Sequence, residues 1–209
     1  MRDRPEARSP KASPFDQDTI NFYDSNAVSY SAARPEEISP ELMAFLSNLD
    51  HGSRILELGC GSGCDAAEMA RLGFEVDPTD GTPAMAELAS ERLGRPVRIL
   101  RFDELDAQQT YDAVVANASL LHVPRPALPA ILARVWRALK PGGWHFASYK
   151  TAGAEGRDKH QRYYNYLERA DAERLYGETG IWASICCEEF DGVGYFSAPA
   201  RWLTVTAQK

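Results

Sequence analysis

The sequence predicts an α/β fold: a mostly parallel sheet covered by helices on both faces. Three observations predict it. Ile55-Leu56-Glu57-Leu58 is a short apolar run that stops at alternating glycines, Gly59, Gly61 and Gly63, before the helix-forming stretch Asp65–Leu72. Strand-like and helix-like segments then keep alternating to about residue 150, as parallel strands with crossover helices require. Finally, the chain closes on two strand-like runs, 182–190 and 202–207, with only Asp191-Gly192-Val193-Gly194 expected as the turn between them.

Taken in order, residues 1–18 are rich in Pro, Arg, Ser and Asp and predict a disordered N-terminal arm. Order is expected from near Ile20. Phe22–Tyr30 reads as a helix with Tyr23 and Tyr30 seven apart on one face, ended by Arg34-Pro35, and a second helix runs from Pro40 to Leu49. After the first strand, glycine turn and helix, Phe74–Pro78 is a strand. Thr82 is then an N-cap and Pro83 the first position of a helix reaching Leu93. Val97–Leu100 and Tyr111–Asn117 are further strands. Leu128, Ile131, Leu132, Val135 and Leu139 form one apolar helix face between Pro126 and Leu139. Lys140-Pro141-Gly142-Gly143 stops that helix before a strand over 144–149, and a last helix spans about 170–177. A single domain is expected over 19–209, with 19–50 as a helical cap and 151–169 as an irregular insertion over the site.

Composition narrows the function. The chain has 209 residues, is 44% hydrophobic and 25% charged, and carries a net charge of −7. That balance argues against nucleic acid or an anionic membrane as the main partner. No apolar run is long enough to span a bilayer, and the start of the chain lacks the apolar stretch of a secretory signal. Cys60, Cys64, Cys186 and Cys187 match no zinc spacing. They are expected as free thiols in a cytoplasmic protein, with no metal site.

In an open α/β sheet, ligands sit beyond the carboxyl ends of the strands. Four such ends carry chemistry here: Gly59–Gly63, Asp80, Phe102-Asp103 and Asn117. Glycines let a ligand approach backbone amides at a helix start, where the helix dipole adds partial positive charge. Asp80 follows the loop by roughly 20 residues, and an ionised carboxylate there can accept both hydroxyl protons of a ribose. A glycine loop and an acid at that offset predict an adenine nucleoside.

This set resembles the class I S-adenosylmethionine-dependent methyltransferases, over about residues 20–150. Glu57-Leu58-Gly59-Cys60-Gly61-Ser62-Gly63 looks like their first motif, and Asp80 falls on their ribose-binding acid. Asp103 looks like the acid that holds the adenine amino group, with Phe102 or Leu105 against the ring; Glu104 and Asp106 compete for that role. Asn117 falls at the fourth-strand position, and Leu139–Gly143 resembles the turn before the fifth strand. Small-molecule members, the tellurite-resistance type among them, look nearest. The resemblance implies a Rossmann-like seven-stranded sheet with an antiparallel last strand. With Cys60, Gly81 and Met85 it completes a candidate cofactor-binding set of Tyr23, Tyr30, Arg34, Gly59, Cys60, Gly61, Gly63, Asp80, Gly81, Met85, Phe102, Asp103, Leu105 and Asn117.

Several of these carry two readings. Tyr23 and Tyr30 are core aromatics, or a lid whose ring faces suit a sulfonium cation. Arg34 is a surface charge or a clamp on a carboxylate. His122 is a packed histidine or a proton acceptor. Arg157, His160, Arg162, Tyr163, Tyr164 and Tyr166 form either a solvated insertion or a chamber suited to an anionic or aromatic substrate. The activity implied is in-line transfer of a methyl group to a small-molecule acceptor by a monomer or weak homodimer. Its rivals are a non-catalytic S-adenosylmethionine-binding module, a nicotinamide-dependent oxidoreductase and a nucleic-acid methyltransferase. Cys64 at the third-glycine position speaks against the oxidoreductase, and Asn117-Ala118-Ser119-Leu120 against the nucleic-acid enzyme.

Overall fold

The computed structural model describes residues 13–34, 36–194 and 198–209. Its centre is a seven-stranded sheet built from β1 (Arg54–Leu58), β2 (Glu75–Asp80), β3 (Arg98–Ile99), β4 (Tyr111–Ala116), β5 (Leu139–Lys150), β8 (Ser184–Val193) and β9 (Pro199–Gln208). The spatial order is β3-β2-β1-β4-β5-β9-β8. The first five strands are parallel, and β9 runs antiparallel between β5 and β8. A separate two-stranded ribbon, β6 (Gly156–Arg157) with β7 (Tyr163–Tyr164), lies in the irregular insertion.

Six helices accompany the sheet among the described residues: α1 (Gln17–Ala32), α2 (Pro40–Leu46), α3 (Cys64–Arg71), α4 (Pro83–Leu93), α5 (Leu128–Ala138) and α6 (Arg169–Thr179). Local sequence explains their starts. The Asp16 carboxylate accepts from the Thr19 N–H and caps α1; Ser39 does the same for Leu42 at α2, with Pro40 following. On α5 the apolar stripe Leu128, Ile131, Leu132, Val135 and Ala138 is buried against the sheet. One core packs α5 and α6 against β1, β4, β5 and β9. A second packs Leu42, Phe45 and Leu46 of α2 with Met69 of α3 onto Ile55, Ala113, Val115 and Phe146. Both faces of β1 are therefore covered, and Ile55, Leu56, Glu57 and Leu58 are all buried.

Three expectations need correction. Helix α1 begins at Gln17 rather than near Ile20, because Asp16 supplies a cap the composition alone did not weigh. The expected arm lies mostly outside the described residues, but 13–16 are described. Asp191-Gly192-Val193 is not the closing turn: these residues pair with Arg201, Ala200 and Pro199 and lengthen the β8–β9 ladder. Lys140–Gly143 belongs to β5, where Gly142 takes a positive φ and the register with β4 shifts between Tyr111 and Ala113.

Candidate functional site

The loop after β1 is tied to β2 by two amides. The N–H groups of Gly59 and Cys60 both donate to the Thr79 carbonyl, at 2.8 and 2.9 Å. That geometry turns the backbone left-handed at Gly59, with φ 75°. A Cβ there would stand 2.6 Å from the Ser119 Cβ, so no side chain fits. Ser119 is held in turn by its own hydroxyl, which donates to the Leu58 carbonyl at 2.6 Å.

Asp80, at the end of β2, faces this loop. One carboxylate oxygen accepts from the Gly61 N–H at 2.9 Å and the other from the Thr82 N–H at 2.8 Å. Thr82 occupies the N-cap of α4 but its side chain caps nothing. Burial raises the Asp80 pKa to about 6, and the two amides restrain the rise. Asp80 is 8% exposed, and each of its oxygens keeps capacity for another donor.

Beside the loop lies a polar chain that sequence reasoning missed. Asp65, in the first turn of α3 and 3% exposed, pairs with Arg34 at 2.7 Å and accepts from the Asn117 side chain at 3.0 Å. Asn117 accepts from the Ser148 hydroxyl at 2.7 Å, and that hydroxyl also receives the Ala118 N–H at 2.7 Å. An acid at a helix N-terminus reads as an ordinary dipole partner, so Asp65 gave no separate signal. Close by, Glu57 is buried with its Oε2 unpartnered. Burial, and then the Asp65 charge, push its carboxyl well above the usual range.

These groups border a cavity of about 580 Å³ that crosses the carboxyl ends of the parallel strands and the amino end of β9, from β2 to β8. Of the candidate set, Tyr23, Tyr30, Arg34, Gly59, Gly61, Asp80, Gly81, Met85, Phe102, Asn117 and His122 line it. Four do not. Cys60 is fully buried, Gly63 caps α3 against Ala89 and Leu93, and Leu105 is in the core. Asp103 pairs with Arg101 at 3.1 Å. Walls the sequence did not announce include Phe15, Phe146, Ser148, Phe190, Trp202 and Thr204.

Tyr23 reaches across from α1, its hydroxyl 2.8 Å from His122 Nε2. The other ring nitrogen, Nδ1, is 2.6 Å from the Tyr163 carbonyl. A carbonyl only accepts, so Nδ1 carries the proton and Nε2 accepts from Tyr23. Burial lowers the His122 pKa to about 3, leaving a neutral ring at physiological pH. Helix α1 is anchored elsewhere too. Asp16 pairs with Arg157 at 2.6 Å, the Thr19 hydroxyl accepts the Tyr163 N–H at 2.8 Å, and Asp24 accepts the Ala84 N–H at 3.1 Å at the start of α4.

Two arginines of the irregular insertion are already engaged. Arg157 is held by Asp16 and Asp18, Arg162 by Asp158 at 2.7 Å. None of Arg157, His160, Arg162, Tyr163, Tyr164 and Tyr166 is among the cavity walls. Cys186 is exposed and Cys187 buried, as opposite faces of a strand require. Among the described residues no cluster could hold a metal ion, and no helix is long and apolar enough to cross a membrane.

Comparison with known proteins follows this geometry. A model of the methyltransferase domain matches residues 30–198. The chain belongs to the methyltransferase-domain family. Its sheet order and antiparallel β9 are those of the class I, Rossmann-like members, whose cofactor is S-adenosylmethionine. The ubiquinone biosynthesis O-methyltransferase of Xanthomonas oryzae pv. oryzae is 38% identical over 104 residues, 46% of this methyltransferase and 43% of that protein. The Xanthomonas axonopodis pv. citri protein of the same description gives the same identity and coverage. This methyltransferase thus aligns with less than half the length of the curated relatives it matches. Among solved structures, the Burkholderia thailandensis 1,6-didemethyltoxoflavin-N1-methyltransferase, with 1,6-didemethyltoxoflavin and S-adenosylhomocysteine bound, aligns with a TM-score of 0.72. The identity is 25%, over 97% of this chain and 93% of that one. Haemonchus contortus phosphoethanolamine N-methyltransferase 2 shares the fold at a TM-score of 0.73 and 18% identity, over 96% of this chain and 61% of that one.

Proposed function

We propose that this methyltransferase moves the methyl group of S-adenosylmethionine to a small-molecule acceptor held in the same cavity. The observation that carries the proposal is the juxtaposition of the Gly59–Gly61 cradle and buried Asp80 with the Tyr23–His122 pair on one cavity. When bound, the cofactor would supply an activated methyl on a sulfonium, which an acceptor lone pair would bond as sulfur keeps the pair of the broken methyl–sulfur bond, leaving S-adenosylhomocysteine.

The residues present fit that cofactor. The bare loop admits close approach, and Asp80 would accept from a sugar diol beside it. Gly81, Met85 and Phe102 border the same end, where an adenine ring would lie. Arg34, Asp65 and Asn117 offer charged and polar groups to an amino-acid end, and the faces of Tyr23 and Tyr30 suit a cation. Because His122 is held neutral with Nε2 as acceptor, a proton leaving the acceptor passes to the Tyr23 oxygen as the Tyr23 proton passes to His122. The low basicity of the ring restricts that route to protons that leave in step with methyl transfer. Otherwise the protein aligns two reactants and excludes water. Four free cysteines support a reducing compartment, the cytoplasm.

Calorimetric titration tests this. S-adenosylmethionine and S-adenosylhomocysteine are expected to bind at one site, with NADH neither binding nor displacing them. Label from the methyl group is then expected in a small metabolite fraction. NADH binding in place of either compound would overturn the proposal, and cofactor binding with no transfer to any metabolite would leave a binding module instead.

A further inference from the structure

The end of the cavity away from Asp80 has its own chemistry. Phe190 of β8 and Trp202 of β9 are cross-strand partners whose rings lie nearly parallel, 16° apart in plane with centroids 6.4 Å apart. Both line the cavity, with Ile20, Ile38 and Phe146 completing an apolar surround. Trp202 also lies beyond residues 30–198, so its half of this wall is outside the shared methyltransferase match, whereas Phe190 is inside it. Stacked aromatic walls favour flat rings over flexible chains.

Charge selects further. The two arginines lining the cavity are both neutralised, Arg34 by Asp65 and Arg101 by Asp103 and Glu104. The Lys150 ammonium is not itself a cavity wall, but it lies 4.4 Å from the Tyr164 ring centroid and 5.8 Å from that of Trp202, so it adds one positive charge behind the aromatic wall. In contrast, Glu37, Glu41 and Asp191 line the cavity and take part in no hydrogen bond or ion pair by their side chains among the described residues. These three carboxylates outnumber the single Lys150 ammonium, so the balance of formal charge there is negative, which attracts cations and repels anions.

We infer that the methyl acceptor is a planar aromatic molecule without negative charge, seated against Phe190 and Trp202. This inference rests on the methyltransferase reading above. It keeps the aromatic alternative drawn from residues 157–166 and drops the anionic one, because Arg157 and Arg162 spend their charge on Asp16, Asp18 and Asp158.

The test uses the full chain saturated with S-adenosylhomocysteine and three catechols that share a ring and differ in charge. These are dopamine (cation), 4-methylcatechol (neutral) and 3,4-dihydroxybenzoate (anion), each titrated by calorimetry. The cation and the neutral ring are expected to bind at least about tenfold more tightly than the anion. Trp202→Leu is expected to weaken both by about tenfold or more without changing S-adenosylhomocysteine affinity, and Trp202→Phe to recover most of the loss. Glu37→Gln, Glu41→Gln and Asp191→Asn combined are expected to close most of the gap to the anion. The inference is overturned by an anion that binds as well as the neutral ring, by Trp202→Leu binding like the parent, or by no catechol binding to the loaded protein at about 10 mM. A protein that never takes up S-adenosylhomocysteine overturns the methyltransferase reading and this inference together, so the two failures are distinguishable.

Discussion

The two ends of the cavity are built by different means. At the Asp80 end, consecutive residues and their amides do the work: Gly59, Cys60 and Gly61 point N–H groups at Thr79 and Asp80, and one buried carboxylate is held between Gly61 and Thr82. At the Trp202 end, side chains distant in sequence meet only because β9 pairs with both β5 and β8. The first end is a fixed shape with little tolerance. The second is a surface whose members can be exchanged without touching the backbone. Such a division lets one cofactor site serve many acceptors.

The comparison breaks most visibly at Gly59. Gly59→Val places a branched side chain at a left-handed φ and into Ser119, and strain of this kind costs about 1–3 kcal/mol before the clash is counted. Loss of measurable cofactor binding and a lowered melting temperature are expected; a variant that binds normally would show that the loop is not a fixed shape.

A middle-sized effect is expected at Asp80. Hydrogen bonds to a charged group are worth about 1.5–3 kcal/mol, so Asp80→Asn should weaken S-adenosylmethionine binding by roughly ten- to a hundredfold. The pKa of about 6 adds a pH signature. The folded protein holds this proton up to a higher pH than the unfolded chain does. Burial of Asp80 therefore costs stability as pH rises from the ordinary carboxylate range through about 6, while the ionised form that accepts sugar hydroxyls is gained over the same window. Affinity measured by calorimetry should fall as pH drops through 6 in the parent, and Asp80→Asn should remove that Asp80 contribution.

The smallest effect is expected on the other half of the molecule. Arg157→Ala removes partly exposed ion pairs with Asp16 and Asp18, and exposed pairs of this kind contribute about 0–1 kcal/mol. Thermal unfolding should shift by no more than a few degrees, and cofactor affinity should hold. A large loss of affinity would mean that the insertion and the cofactor end are coupled more tightly than their construction indicates.

What could be read from the sequence follows the same division. Gly59, Gly61 and Asp80 were legible because the backbone conformation and the offset along the chain impose residue types directly. The parallel order of β1, β2 and β4 followed from their intervening helices. Phe190 and Trp202 left no such trace, since a cross-strand pair is decided by register rather than by spacing. Asp191-Gly192-Val193 has the composition of a turn, yet ladder pairing with 199–201 prevailed. Arg157 and Arg162 were visible as charges, but Asp16 and Asp158, which neutralise them, could be recognised as partners only in three dimensions.

Helix α1 spans the divide. Asp24 grips the first turn of α4 on the Asp80 side, while Asp16, Thr19 and Tyr23 hold Arg157, Tyr163 and His122 on the other. Because Thr19, Ile20, Tyr23 and Tyr30 of this one helix all line the cavity, any displacement of α1 would reshape the walls toward both ends together.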